Sequence, residues 1–191
     1  MSFGLVDFSD GELAALTRAG RQDAFAEIMR RHRDPIYRLI RGHVGHEDDA
    51  LDLVQECFVS AFRHLDRYDP ERPLRAWLSR IAINKCRDWG RRRAVRRLFS
   101  SSAPWSSAAA EVADDAPAAD DLAADRQELD MLWRAVSALP IKLKEPLILR
   151  AIEGLSQAET ADLLGISEKA VETRLYRARR KLDELRSASR T

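Results

Sequence analysis

Apolar positions recur at three- and four-residue intervals along most of the chain. Phe25, Ile28, Met29, His32, Ile36, Leu39 and Ile40 form one stripe, and Ala50, Val54, Cys57, Phe58, Ala61, Phe62 and Leu65 form a second. Leu74, Trp77, Leu78 and Ile81 begin a third that runs on toward Trp89, and Leu129, Leu132, Val136 and Leu139 make a fourth. This spacing predicts amphipathic helices, each with one buried face. No alternating run of strand type competes with it. Asp34-Pro35 and Asp69-Pro70 predict helix breaks or starts, because proline lacks the N–H that an interior turn uses. The fold class is therefore all-α.

Between the third and fourth stripes the pattern fails. Residues 99–125, FSSSAPWSSAAAEVADDAPAADDLAAD, hold few large apolar side chains. Such a stretch cannot bury enough surface to offset its ordering entropy, so it reads as a flexible linker, with a helix plausible from about Asp120 onward. The chain divides into a domain over 1–98, a linker over 99–125 and a domain over 126–191.

The most informative local pattern is LSQAETADLLGISEKAVETRLYRARRKLDEL, residues 155–185. Ser156 and Glu159 have capping-box spacing and predict a helix start. Gly165 permits the positive φ of a tight turn, and Ser167 is placed to cap the next helix. That helix has a seam of Val171, Leu175, Ala178, Leu182 and Leu185. Its other face carries Lys169, Glu172, Thr173, Tyr176, Arg177 and Arg180. Helix, glycine turn and helix with a basic outer face make a helix-turn-helix, whose second helix enters the DNA major groove. Arg177 suits guanine and Glu172 a cytosine amino group. Thr173 suits a thymine methyl or a phosphate, and Arg174 and Arg180 suit phosphates.

Charge sharpens this division. The formal net charge over 191 residues is only +1. It is the remainder of +4 on 1–98, −6 on 99–125 and +3 on 126–191. Near neutrality thus conceals two basic ends. Residues 87–97, RDWGRRRAVRR, carry six arginines and one Asp. A basic helix with nearby Trp77 and Trp89 fits a nucleic-acid surface, although both tryptophans fit the core better. Asn84 lies among apolar neighbours and can either read a base edge or serve as a satisfied boundary residue. The stretch from Glu47 to Phe62 is the opposite, with five acids and no Lys or Arg. It repels DNA and suits a basic protein partner, with Asp52 and Glu56 one helical turn apart.

Other chemistries are not supported. Cys57 and Cys86 lie on apolar stripes, where inert packing is the expectation. His32, His43, His46 and His64 lack metal-ligand spacing, so no metal and no cofactor is expected. There is no phosphate-cradling glycine loop and no nucleophile–base grouping, so the chain is not read as an enzyme and no small-molecule substrate is expected. No apolar run spans a bilayer and the N-terminus lacks signal-peptide character, which predicts a cytoplasmic protein without membrane insertion.

Two segments together resemble a known family. DLVQECFVSAFRHLDRYDPERPLRAWLSRIAINKCRDWGRRR is similar to region 2 of bacterial sigma factors of the extracytoplasmic-function (ECF) type, group 4 of the sigma-70 family. LPIKLKEPLILRAIEGLSQAETADLLGISEKAVETRLYRARRKL is similar to region 4. The resemblance implies a transcription initiation factor with core RNA polymerase and promoter DNA as partners, commonly held inactive by an anti-sigma factor. It matches the polymerase-binding helix to residues 48–65. Asp52, Gln55, Glu56, Phe58 and Phe62 would then face the clamp helices of the largest subunit. It matches the −10 readers to the loop near Asp69–Arg75 and the helix 74–93, with Asn84, Arg87, Arg91 and Arg92 as candidates. It assigns the −35 element to Lys169, Glu172, Thr173, Arg174, Arg177 and Arg180. The acidic linker would thread a positively charged polymerase channel. Pro146, inside the first expected helix of region 4, predicts that this helix starts there. A stand-alone helix-turn-helix repressor is the rival reading, and an enzyme or anti-factor on a helical scaffold is a third.

Overall fold

The computed structural model describes residues 4–100 and 120–188, and every α- or 3-10 element among them is helical. Residues 101–119, the greater part of the predicted linker, lie outside the described residues. The helices are α1 (Asp10–Arg18), α2 (Gln22–Val44), α3 (Glu47–Arg63), α4 (Leu74–Ser100), α5 (Asp120–Ala138), α6 (Ile141–Ala151), α7 (Gln157–Leu164) and α8 (Glu168–Ala188). Single 3-10 turns occupy Leu5–Asp7 and Leu65–Arg67. No described helix is long and apolar enough to cross a membrane.

Local chemistry sets the helix ends. Ser9 and Glu12 form a capping box on α1. Glu47, Asp48 and Asp49 occupy the first turn of α3, where the helix dipole favours negative charge. Gly45 ends α2 at φ 81°, and its N–H donates to the Arg41 carbonyl at 2.9 Å. Between the first turn after α3 and the start of α4, the Tyr68 hydroxyl donates to the Arg72 carbonyl at 2.8 Å and holds the loop closed.

The prolines correct two expectations. Pro35 does not break α2, which runs through it. Pro146 does not start α6, which begins five residues earlier at Ile141 after Pro140. An interior proline costs about 3 kcal/mol. Burying an aliphatic side chain returns about 1.5–3 kcal/mol each, and Ile36, Leu39 and Ile40 just beyond Pro35 are all fully buried. Ile148 and Leu149 do the same beyond Pro146.

α2 is the central post of the first domain and packs against α1, α3 and α4. Leu13, Ile28, Leu53, Phe58, Leu74 and Leu78 fill the space between them. Arg31 ties the N-terminal segment down, bonding the carbonyls of Leu5, Val6 and Phe8 and the carboxylates of Asp10 and Glu27. In the second domain α6 and α7 pack on α8, and α5 also touches it. The fourth stripe is only half realised. Val136 and Leu139 are buried, whereas Leu129 and Leu132 are exposed.

The two domains are docked. α2 contacts both α5 and α6, and Val136, Ile148, Leu149 and Leu155 join the same hydrophobic core as the first domain. The close approach depends on two glycines. A Cβ at Gly42 would meet Ile148 at 3.0 Å and Trp133 at 3.4 Å, and one at Gly45 would strike the Ser137 side chain.

Candidate nucleic-acid interface

The α7–α8 unit has the geometry its sequence predicts. Ser156 Oγ accepts from the Glu159 N–H at 3.2 Å, and Glu159 accepts from the Ser156 N–H at 2.7 Å. Gly165 turns the chain at φ 65°. Ser167 Oγ caps α8 by accepting from the Ala170 N–H at 3.2 Å. Gln157 Nε2 donates to the Glu168 carbonyl at 3.1 Å and pins the two helix starts together. Val171 and Ala178 are fully buried, and Leu182 packs against the core, so the seam faces inward.

The opposite face of α8 is presented to solvent. Lys169, Glu172, Thr173, Arg177 and Arg180 are exposed, and Arg174 is half-buried. Ser167, Lys169, Ala170, Thr173, Arg174 and Arg177 line a shallow open concavity. Lys169 pairs with Glu172 at 3.1 Å, so the one acid on this face is locally balanced. The Thr173 hydroxyl donates to the Lys169 carbonyl at 2.9 Å, which leaves it an acceptor. Among the described residues no acid pairs with Arg174 or Arg177. All six predicted −35 residues therefore share one face or its margin, with a net positive field.

α4 is arranged differently. Asn84, Arg91 and Arg92 are exposed, yet the arginines are matched by acids of this chain. Arg91 pairs with Asp88, and Arg92 lies 4.0 Å from Glu56. Arg93 lies 3.7 Å from Asp49 and covers the Trp89 ring at 5.0 Å. Trp89 also donates to Asp49 at 3.3 Å, and Trp77 packs on Tyr68 with centroids 5.6 Å apart. Both tryptophans are half-buried and pack against the core. Arg87 leaves its own domain altogether. Its guanidinium makes a two-pronged bond to Glu145 of α6, at 2.6 and 2.7 Å.

Sequence reading placed Arg75 only at the end of the Asp69–Arg75 loop and missed Glu145 and Glu153. Arg75 bonds Glu153 at 3.0 Å, again across the domain boundary. The available signal was faint: two acids set in the otherwise apolar and basic run LPIKLKEPLILRAIEGL.

On α3, Asp52, Gln55 and Glu56 are exposed and Phe62 is 48% exposed. Phe58 departs from expectation. It is 2% exposed and sits edge-on to Phe25 at 6.4 Å, so it supports the surface from beneath and cannot face a partner. The side chain that shares the exposed strip is Val59, which is 50% exposed. Helical spacing contained that signal, since 52, 55, 59 and 62 fall on one face.

Burial disfavours the charged forms of Cys57, Cys86 and His43. The Cys57 thiol is pushed up to about 12 by burial, and Cys86 is pushed up as well. His43 is held neutral, with its pKa lowered to about 3 by burial and by the nearby cations Lys144 and Arg87. Among the described residues no group of three or more His, Cys, Asp or Glu is placed to hold a metal ion.

The Sigma-70 region 2 family model matches residues 28–96, and the Sigma-70 region 4 model matches residues 129–182. RNA polymerase sigma factor CnrH of Cupriavidus metallidurans is 40% identical over 182 residues, covering 94% of this chain and 95% of that protein. ECF RNA polymerase sigma factor SigM of Mycobacterium tuberculosis is 32% identical, covering 93% of this chain and 84% of that one. In solved structures, CnrH in complex with the cytosolic domain of CnrY superposes with a TM-score of 0.69 at 36% identity, covering 94% of this chain and 97% of that chain. The sigma factor RpoE of Bartonella quintana, solved with the anti-sigma factor NepR, shares the fold with a TM-score of 0.66 at 23% identity, over 85% of this chain and 96% of that one.

Proposed function

This chain belongs to the ECF sigma factors of RNA polymerase, and we propose that three of its surfaces divide the work of promoter recognition. It binds core polymerase and directs it to promoters, and it is not an enzyme. The exposed face of α8 reads the −35 element. Its N-terminal residues Lys169, Glu172, Thr173 and Arg177 enter the major groove, while Arg174 and Arg180 hold phosphates. Asn84, Arg87, Arg91 and Arg92 of α4 hold the opened −10 strand. Asp52, Gln55, Glu56 and Phe62, with Val59 added and Phe58 withdrawn, meet the polymerase clamp. The protein acts in the cytoplasm and is held inactive by an anti-sigma factor.

The observation that carries this reading is the α8 face. A capped, glycine-turned helix pair presents a contiguous cationic surface that no described acid outside the helix neutralises. Each DNA site alone is modest. Joined in one chain and spaced by polymerase, they raise each other's effective concentration.

The test is reconstitution. Purified full-length protein is mixed with core polymerase and a genomic promoter library, and run-off transcripts are sequenced. The expected result is a transcript set that shares −35 and −10 elements and vanishes without this protein. Tight binding of a palindromic duplex without core, and no transcripts with it, would favour the repressor reading instead.

A further inference from the structure

The outer face of α8 carries one large side chain beyond the proposed −35 set. Its outward residues fall into two rows of four-residue spacing, Lys169–Thr173–Arg177 and Glu172–Tyr176–Arg180. Tyr176 stands between Glu172 and Arg180, one helical turn from each. It is 63% exposed. Among the described residues none bonds its hydroxyl or stacks on its ring, and the ring takes no part in the packing against the core. Every other member of the two rows is charged or hydroxylated, so Tyr176 alone presents a large apolar body on this face.

Groove chemistry narrows what such a body can meet. A tyrosine ring is rigid and has only two side-chain torsions, so covering it costs little ordering. In duplex DNA the bases stay stacked, so the ring has no open base face to lie on, as it would on a single strand. The base edges in the major groove present hydrogen-bond donors and acceptors, with one apolar exception, the C5 methyl of thymine. Residues about one turn apart on a groove-bound helix address neighbouring base pairs. Tyr176 therefore falls beside the pair that Glu172 contacts.

From this placement we infer that Tyr176 is a specificity-determining residue, whose ring packs on a thymine methyl of the −35 duplex next to the base pair read by Glu172. The inference rests on the assignment of α8 to the −35 element. A thymine selected in this way is told from cytosine by its methyl group, with no hydrogen bond to the base. The contact belongs to the ring and not to the hydroxyl, so phenylalanine should serve as well and alanine should not. Thr173, which also suits a thymine methyl, stands in the other row and addresses a different base pair.

The test uses holoenzyme assembled from the full chain and core polymerase, on a promoter recovered from the library reconstitution. Deoxyuridine replaces each −35 thymine in turn, on either strand, which removes the C5 methyl and keeps every hydrogen bond of the pair. Run-off transcription at limiting holoenzyme reads promoter occupancy. Wild type is expected to lose about fourfold at one position, the worth of about one buried methyl or methylene group. There Tyr176→Ala should transcribe the thymine and uracil templates equally, and Tyr176→Phe should keep the fourfold ratio. A −35 element with no methyl-sensitive position would overturn the proposal. So would sensitivity that survives Tyr176→Ala at every position, which passes the methyl contact to Thr173. A Tyr176→Ala protein that assembles poorly with core and loses both templates alike would overturn it too, since Tyr176 would then be a protein contact. The −35 assignment fails separately, if Arg177→Ala and scrambling of the −35 element both leave transcription unchanged.

Discussion

α4 and α8 each carry a basic face, but the two faces are kept in different states. On α8 the ion pairs are local, Lys169 with Glu172 and Lys181 with Glu184, each three residues apart on an exposed helix surface. Such pairs contribute about 0.2–0.5 kcal/mol and yield easily to a phosphate. On α4 the decisive pairs are long-range. Arg87 and Arg75 are held by acids of another domain that are themselves buried. Two basic helices in sequence thus become one surface on offer and one in use. What separates them is the depth of the partner, because a buried carboxylate cannot give up its cation without a replacement or access to water.

The largest expected effect comes from cutting the apolar part of the seam between the domains. Ile148→Ala removes a side chain that is 1% exposed and leaves a cavity against Gly42. A loss of about 2–5 kcal/mol is expected. It should appear in urea unfolding, accompanied by weaker docking of the second domain, and a loss below 1 kcal/mol would mean that the seam contributes nothing to stability.

An intermediate effect tests the exposed face. In holoenzyme transcription, Arg177→Ala is expected to cost about 1–3 kcal/mol at its cognate −35 promoters and to relax preference at one base position. Arg174→Ala should weaken all promoters alike and lower the salt dependence. A reversal of those two patterns would exchange the base-reading and phosphate-holding roles.

The smallest effect at neutral pH grows on acidification. His43 is neutral in the folded protein down to about 3, whereas the unfolded chain protonates it near its ordinary value of 6.5. Stability is nearly unaffected by His43 well above that value and falls as the pH drops from 6.5 toward 3, by roughly 1 kcal/mol over the first unit. Glu153 works in the opposite direction, because burial raises its pKa and acid relieves its charge. The His43 share is isolated by comparing wild type with His43→Gln in thermal melts between those limits. Parallel pH profiles for the two proteins would show that His43 is solvated in solution.

Local rules made much of the fold legible. The Ser156–Glu159 box, the Gly165 turn and the Ser167 cap each depend on residues within a few positions of one another. The exposed face of α8 followed from them, since helical spacing alone decides which residues oppose the Val171–Ala178 seam. Legibility failed where packing overrode a local preference. α2 continues through Pro35 because the core behind it holds the helix together. Phe58 and Phe62 look alike on an apolar stripe and both pack edge-on to Phe25, but Phe58 points into the core while Phe62 stays at the rim. Leu129 and Leu132 share a stripe with Val136 and Leu139, yet among the described residues they stay exposed while the other two are buried.

The sequence by itself determined the helices, their caps, the helix-turn-helix and the sorting of charge into basic ends around an acidic middle. These depend on short-range hydrogen bonding, periodicity and composition, which a single chain displays directly. Only the tertiary structure decided which charges are available. Arg87 and Glu145 are 58 positions apart, and Arg75 and Glu153 are 78 apart. Their pairing is set by two glycines that let one domain settle against another, and no local pattern encodes that approach.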